Sequence, residues 1–141
     1  MSGFLLDTNV PSELIRVLPE PKVQAWIAAQ NLDELFISAL SFGELRKGIA
    51  LRSPGRRRTE LEIWLETDLT ALFLGRILPV VRPVAERWGI LDAQRQLAGR
   101  PLGVADGIIA ATALENDLTV VTRNVKDFAA LGVELLNPWR G

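Results

Sequence analysis

Short apolar runs alternate along this chain with longer stretches of three-to-four spacing. Phe4-Leu5-Leu6 ends in the polar Asp7-Thr8-Asn9, which predicts a buried strand followed by a turn. Pro11-Ser12-Glu13 suits a helix start, and Pro19 and Pro21 break that helix. Val23, Trp26, Ile27 and Gln30 give the spacing of a second helix. Glu34-Leu35-Phe36-Ile37-Ser38 predicts a second strand. Ser41-Phe42-Gly43-Glu44 has the capping-box pattern and predicts a helix to about Leu51.

Beyond the loop signal Ser53-Pro54-Gly55, Leu61, Trp64, Leu65, Asp68 and Leu72 predict a long amphipathic helix, and Ile77-Leu78-Pro79-Val80 a short strand. Val84, Trp88, Leu91 and Ala98 predict another helix, ended by Gly99-Arg100-Pro101. Ala105 to Leu114 is an Ala-rich apolar helix beginning around Asp106, and Leu118-Thr119-Val120-Val121-Thr122 is the clearest strand. Lys126 to Leu131 predicts a short helical turn, and Val133-Glu134-Leu135-Leu136 a last strand. Strands separated by helices imply crossover units. The expected fold is therefore α/β, one domain over residues 1–141 with a parallel central sheet flanked by helices.

Two absences narrow the chemistry. The chain has no cysteine, hence no disulfide framework and no thiolate metal site. It has no histidine, which excludes Ser-His-Asp hydrolysis, His-ligated zinc and a His acid/base pair. The net charge of −1 argues against a general nucleic-acid coat, yet leaves room for a basic surface beside an acidic site. A hydrophobic share of 48% in 141 residues is high for a small monomer and suggests a further buried interface. No apolar run approaches the ~20 residues of a membrane helix, and the first residues lack a signal-peptide shape, so the cytoplasm is the expected location.

In an open parallel sheet, ligands bind beyond the carboxyl ends of the strands. Asp7 follows the first strand, Glu44 lies in the helix after the second, Asp106 opens a late helix, and Asn124 follows the Leu118–Thr122 strand. Converging carboxylates raise one another's pKa unless a cation neutralises them. A hard divalent ion, Mg²⁺ or Mn²⁺, suits oxygen ligands of this kind. With no imidazole in the chain, a water activated by that metal is the natural nucleophile.

Each residue also has a plainer role. Asp7 suits a turn or cap, Glu44 a capping box with Ser41, and Asp106 the positive end of a helix dipole. Asp127 suits surface charge. Arg46, Lys47, Arg52, Arg56, Arg57 and Arg58 suit a solvated face, or contact with phosphates or an acidic segment. Trp64 and Trp88 at helical spacing suit the core or an interface.

Five segments resemble the PIN-domain family, in particular the VapC-like toxins of its FitB-type subgroup: Leu5-Leu6-Asp7-Thr8-Asn9, Ser41-Phe42-Gly43-Glu44-Leu45, Gly75-Arg76-Ile77-Leu78-Pro79, Ala105-Asp106-Gly107-Ile108-Ile109-Ala110-Ala111-Thr112-Ala113 and Thr119-Val120-Val121-Thr122-Arg123-Asn124. The ending Leu136-Asn137-Pro138-Trp139 also fits, so the resemblance spans nearly the whole chain in order. It implies a Mg²⁺-dependent ribonuclease and toxin, with Asp7, Glu44 and Asp106 as catalytic and metal-ligating acids. It also implies Thr8 and Thr122 as hydroxyl residues near the site, an RNA substrate, a cognate antitoxin and a homodimer. Promoter DNA is implied only through the antitoxin complex.

One departure stands out. The family often carries a fourth acid where this chain has Asn124, which brings no charge to a metal shell. Asp127 is the alternative fourth ligand. Arg123 is a candidate for holding substrate phosphate or an antitoxin's tail.

Two rival functions remain on the sequence. Asn124 would also suit a PIN-like module that is inactive and works through its partner. A phosphotransfer domain with Asp7 as nucleophile would want a second Asp at position 9, which is Asn9. A dinucleotide-binding reading fails for want of a Gly-x-Gly-x-x-Gly after the first strand.

Overall fold

The computed structural model describes residues 3–140. Five short parallel strands form one sheet in the order β3-β2-β1-β4-β5. They are β1 (Phe4–Leu6), β2 (Leu35–Ser38), β3 (Ile77–Leu78), β4 (Thr119–Val121) and β5 (Leu135–Leu136). Because β1 is central, the chain winds outward through β2 and β3 and then crosses to β4 and β5 on the other side. That reversal puts the ends of β1 and β4 side by side, Leu6 against Val121, and opens the crevice that such a switch point creates.

Helices α1 (Asn9–Leu14), α2 (Pro21–Ala28), α3 (Ala39–Ala50) and α4 (Arg56–Ile63) contribute to one hydrophobic cluster. A π-helical segment, Trp64–Leu69, and the short α5 (Thr70–Leu72) prolong α4. Its register change brings both Leu65 and Leu69 into that core. The second cluster lies under α6 (Arg82–Leu97) and α7 (Val104–Asn116). The Ala-rich α7 lies close against the sheet, with Ile109, Ala110, Ala111 and Ala113 wholly buried. Every predicted strand forms, and the predicted turn after β4 is a 3-10 helix, Val125–Phe128.

Among the described residues, no helix is long and apolar enough to cross a membrane.

One local expectation is corrected. Ser41 does not cap α3. Ser38, the last residue of β2, does so by accepting from the Leu40 N–H at 3.0 Å. The helix therefore begins at Ala39, and Ser41 is buried one turn within it. A strand that runs straight into a helix places the cap on its own terminal residue. Glu44 is thereby released from capping duty.

Candidate metal centre

Asp7 leaves the end of β1 almost fully buried, at 6% exposure. Its backbone N–H extends the sheet ladder by donating to the Val121 carbonyl at 2.9 Å. Its carboxylate is gripped at both oxygens. The Thr8 N–H donates to Oδ1 at 2.8 Å, and the Thr122 hydroxyl donates to Oδ2 at 2.8 Å. The Asn9 amide lies 3.4 Å from Oδ2 and 3.3 Å from Thr122 Oγ1.

Thr122 Oγ1 also accepts from the Asn124 N–H at 3.0 Å. One proton and two lone pairs are thus all used, which makes Thr122 a residue that holds Asp7 in place.

Glu44, half-buried on α3, is tied to the same loop. The Thr8 hydroxyl donates to Glu44 Oε1 at 2.5 Å and is hydrogen-bonded to Ser41 Oγ at 2.8 Å. Asn9 and Ser41 are therefore part of the site, although nothing beyond their place in the motifs singled them out. The Asn9 Oδ1 atom is buried without a partner, which is costly unless a water or ligand satisfies it.

Asp106 sits in the first turn of α7. Its carboxyl is pushed up to about 6, first by burial and then by the negative charges of Asp7, Asp127 and Glu44. The helix dipole would act in the opposite direction, so burial and the acidic neighbours together outweigh it. The Asp7 carboxyl is also raised. Burial is the main cause, opposed by the bonds from Thr122 and Thr8 and reinforced by the charges of Glu44 and Asp127. The charges that raise these two aspartates are those of neighbouring carboxylates.

Asp127, in the 3-10 turn after β4, thus acts on both aspartates. Asn124 contributes its backbone N–H to Thr122, and its side chain is exposed. Arg123 points elsewhere, with its guanidinium 5.6 Å from the Trp139 ring centroid.

The donor set fits a hard divalent ion, being all oxygen and strongly negative. Among the described residues, no three acids stand close enough to hold a metal directly. Glu44 Oε1 accepts from the Thr8 hydroxyl. Mg²⁺ retains several waters and needs only one or two direct carboxylates, so an open cluster suits it.

The basic cluster divides. Arg46 pairs with Glu66 at 2.9 Å, Arg58 with Glu62 at 3.9 Å, and Arg56 with Glu60 at 4.0 Å. Arg57 also lies 4.0 Å from Glu60, and Arg52 and Arg57 line a cleft that begins at Thr8 and Glu44. Trp88 packs on Gly107, and Trp64 lines that cleft.

A buried glutamate went unnoticed in the sequence. Glu13, 5% exposed on α1, accepts from the Glu20 N–H at 3.1 Å, from Trp139 Nε1 at 3.3 Å and from Arg16 at 3.3 Å. Burial would raise its carboxyl, but these partners together hold it below the usual value of 4.5. Its contribution to stability is therefore full above pH ~4.5 and fades as the pH falls through the lower folded value. Glu13→Ala should cost about 1–3 kcal/mol, since it strands two half-buried donors. In acid-denaturation curves the variant should lose stability less steeply than wild type below pH 4.5; parallel curves would refute the role.

Residues 4–134 match the family described as PIN domain. The chain is 41% identical to the VapC ribonuclease Y4jK of Sinorhizobium fredii over 136 residues, covering 96% of this chain and 97% of that protein. It is 42% identical to Toxin FitB of Neisseria gonorrhoeae, covering 96% and 98%. The solved structure of FitAB bound to an IR36 DNA fragment superimposes with a TM-score of 0.90 at 39% identity, covering 96% of this chain and 95% of that one.

Proposed function

Because the chain belongs to the PIN-domain family, we propose that it is a metal-dependent endoribonuclease and the toxin of a type II toxin–antitoxin pair. The observation that carries this reading is the set of four carboxylates, Asp7, Glu44, Asp106 and Asp127, at the carboxyl edge of β1 and β4, where the charges of Glu44 and Asp127 act on both Asp7 and Asp106. A cluster that repels itself in this way is suited to binding a cation.

Asp7 and Asp106 are the proposed core ligands, with Glu44 binding the metal or orienting the attacking water. Asp127 is favoured over Asn124 as the fourth member, because its charge reaches both aspartates. A bound Mg²⁺ or Mn²⁺ would polarise the scissile phosphate and acidify a water. Thr122 and the Thr8 N–H fix the Asp7 carboxylate, and the Thr8 hydroxyl holds Glu44.

The relatives extend the proposal to partners. Y4jK carries the name of a ribonuclease, and FitB occurs with FitA on DNA. By analogy this chain would cut RNA, be held by a cognate antitoxin, dimerise, and reach promoter DNA only within that complex, in the cytoplasm. The inactive-module alternative rests on Asn124, and the charge supplied by Asp127 weighs against it.

The test is RNA cleavage by wild type and Asp7→Asn, purified side by side, with Mg²⁺ and then with EDTA. Cleavage is expected only from wild type with metal. Equal cleavage by both proteins would mean a contaminating ribonuclease or another site. No cleavage by either, together with no metal binding, would favour the inactive module.

A further inference from the structure

A cleft of about 280 Å³ runs from the acidic cluster between α1 and the α3–α4 pair. Thr8 and Glu44 stand at its mouth, and Arg16, Arg52 and Arg57 line it further along. Three arginines and one carboxylate thus line the same cleft, and that carboxylate is a proposed metal ligand. We propose that this cleft holds the RNA strand beside the cut, as a single-stranded segment whose phosphate is gripped by Arg52 and Arg16. This rests on the nuclease reading and names the part of the protein that would position its substrate.

Three observations support it. First, Glu44 and Gly48 lie one turn apart on one face of α3, and Arg52 follows just past the end of that helix, its N–H donating to the Ile49 carbonyl at 3.0 Å. The rise of α3 from Glu44 to its end at Ala50 is ~9 Å, and Arg52 lies beyond that end. That is too far for one phosphate to meet both, so Arg52 would hold a neighbouring phosphate and not the scissile one.

Second, Gly48 between them lines the cleft, and a Cβ there would meet nothing within 4 Å. Glycine weakens a helix interior, and here its bareness keeps the passage open.

Third, the three arginines differ in what already binds them. Arg57 donates to the Ile15 carbonyl at 2.6 Å and so ties α4 to the end of α1, which fixes the width of the cleft. Arg16 pairs with buried Glu13 at 3.3 Å. Among the described residues Arg52 forms no ion pair within 4.0 Å. Its charge is free for a ligand. The cavity has room for about one nucleotide, with Trp64 on its wall, where a base would find an aromatic face. A duplex would not enter.

The test uses binding in addition to turnover. A labelled single-stranded RNA is titrated by fluorescence anisotropy against Asp7→Asn protein in Mg²⁺, at several salt concentrations. Adding Arg52→Gln should weaken binding about three- to tenfold and reduce the slope of log K against log [salt] by ~0.7, the share of one phosphate contact. Adding Gly48→Leu should also weaken binding, with the melting temperature unchanged or higher, since it fills the passage without touching an acid. In the otherwise wild-type enzyme both changes should raise KM more than they lower kcat. Unchanged affinity and slope in both variants, while wild type still cleaves RNA, would overturn the cleft assignment alone; a cleft that seats a protein partner instead gives that result. If wild type neither cleaves nor binds RNA, the nuclease reading fails and this proposal falls with it.

Discussion

Replacing Asp106 by Asn is expected to lower RNA cleavage by about a hundredfold or more and, at the same time, to raise the melting temperature of the metal-free protein. The activity loss follows from removing a proposed direct metal ligand, since even a residue that only supports a ligand commonly costs 10–100-fold.

The stability gain follows from electrostatics. The Asp106 carboxyl is raised from 3.8 to about 6 by burial and by Asp7, Asp127 and Glu44. A raised acid opposes folding only where it is ionised in the folded state. The penalty is therefore absent below pH ~4, grows as the pH rises towards 6, and is complete above it. A shift of this size is worth ~3 kcal/mol in a dry site, and roughly 1 kcal/mol for the half-buried Asp106 after solvent screening.

Differential scanning calorimetry in EDTA at pH 7.5 and pH 4 is the check. The Asp106→Asn protein should melt a few degrees above wild type at the higher pH and level with it at the lower. Added Mg²⁺ should stabilise wild type alone, because only the native acidic site binds it. A variant that is both inactive and less stable at pH 7.5 would mean that Asp106 serves the fold.

Gly107→Val is expected to destabilise the protein by at least about 2 kcal/mol, through packing and without touching a carboxylate. A Cβ at Gly107 would lie 2.6 Å from Trp88 Cδ1, 2.9 Å from Trp88 Nε1 and 3.1 Å from Leu102 Cδ2. The indole belongs to α6, so α6 and α7 meet across a gap that only glycine leaves. Gly107→Ala is the finer test. Alanine favours a helix over glycine by ~1 kcal/mol, so any net loss measures the clash. Urea unfolding should show a lower midpoint for both, larger for valine. Because Asp106 is the preceding residue on α7, metal affinity measured by calorimetric titration should fall too. Unchanged stability of Gly107→Val would mean that Trp88 swings aside at no cost.

Much of this protein was legible in the sequence, for identifiable reasons. Alternating strand and helix periods are local, so β1, β2, β4 and both late helices could be read directly. The acids Asp7, Glu44 and Asp106 could be marked because a strand end or a helix first turn is itself a local feature. The lack of histidine and cysteine narrowed the metal chemistry before any fold was known.

Long-range relations were not legible. Capping by Ser38 in place of Ser41 depends on β2 running straight into α3, which is settled by the register of β2 on β1. The grip of Thr122 on Asp7 spans 115 positions and exists only because β1 and β4 lie adjacent at the switch of the sheet. Glu13 looked like an ordinary helix acid, and its burial depends on Trp139 folding back from the other end of the chain.

Asn124 and Asp127 both follow β4. The 3-10 turn brings the charge of Asp127 to bear on Asp7 and Asp106, and both residues are exposed. Sequence by itself determined which residue types were available and which local elements they form, because propensity and periodicity act over a few residues. Which acids repel one another, and which arginines are paired with a counter-ion, was decided by the tertiary structure, because electrostatic energy depends on distance through space and on burial.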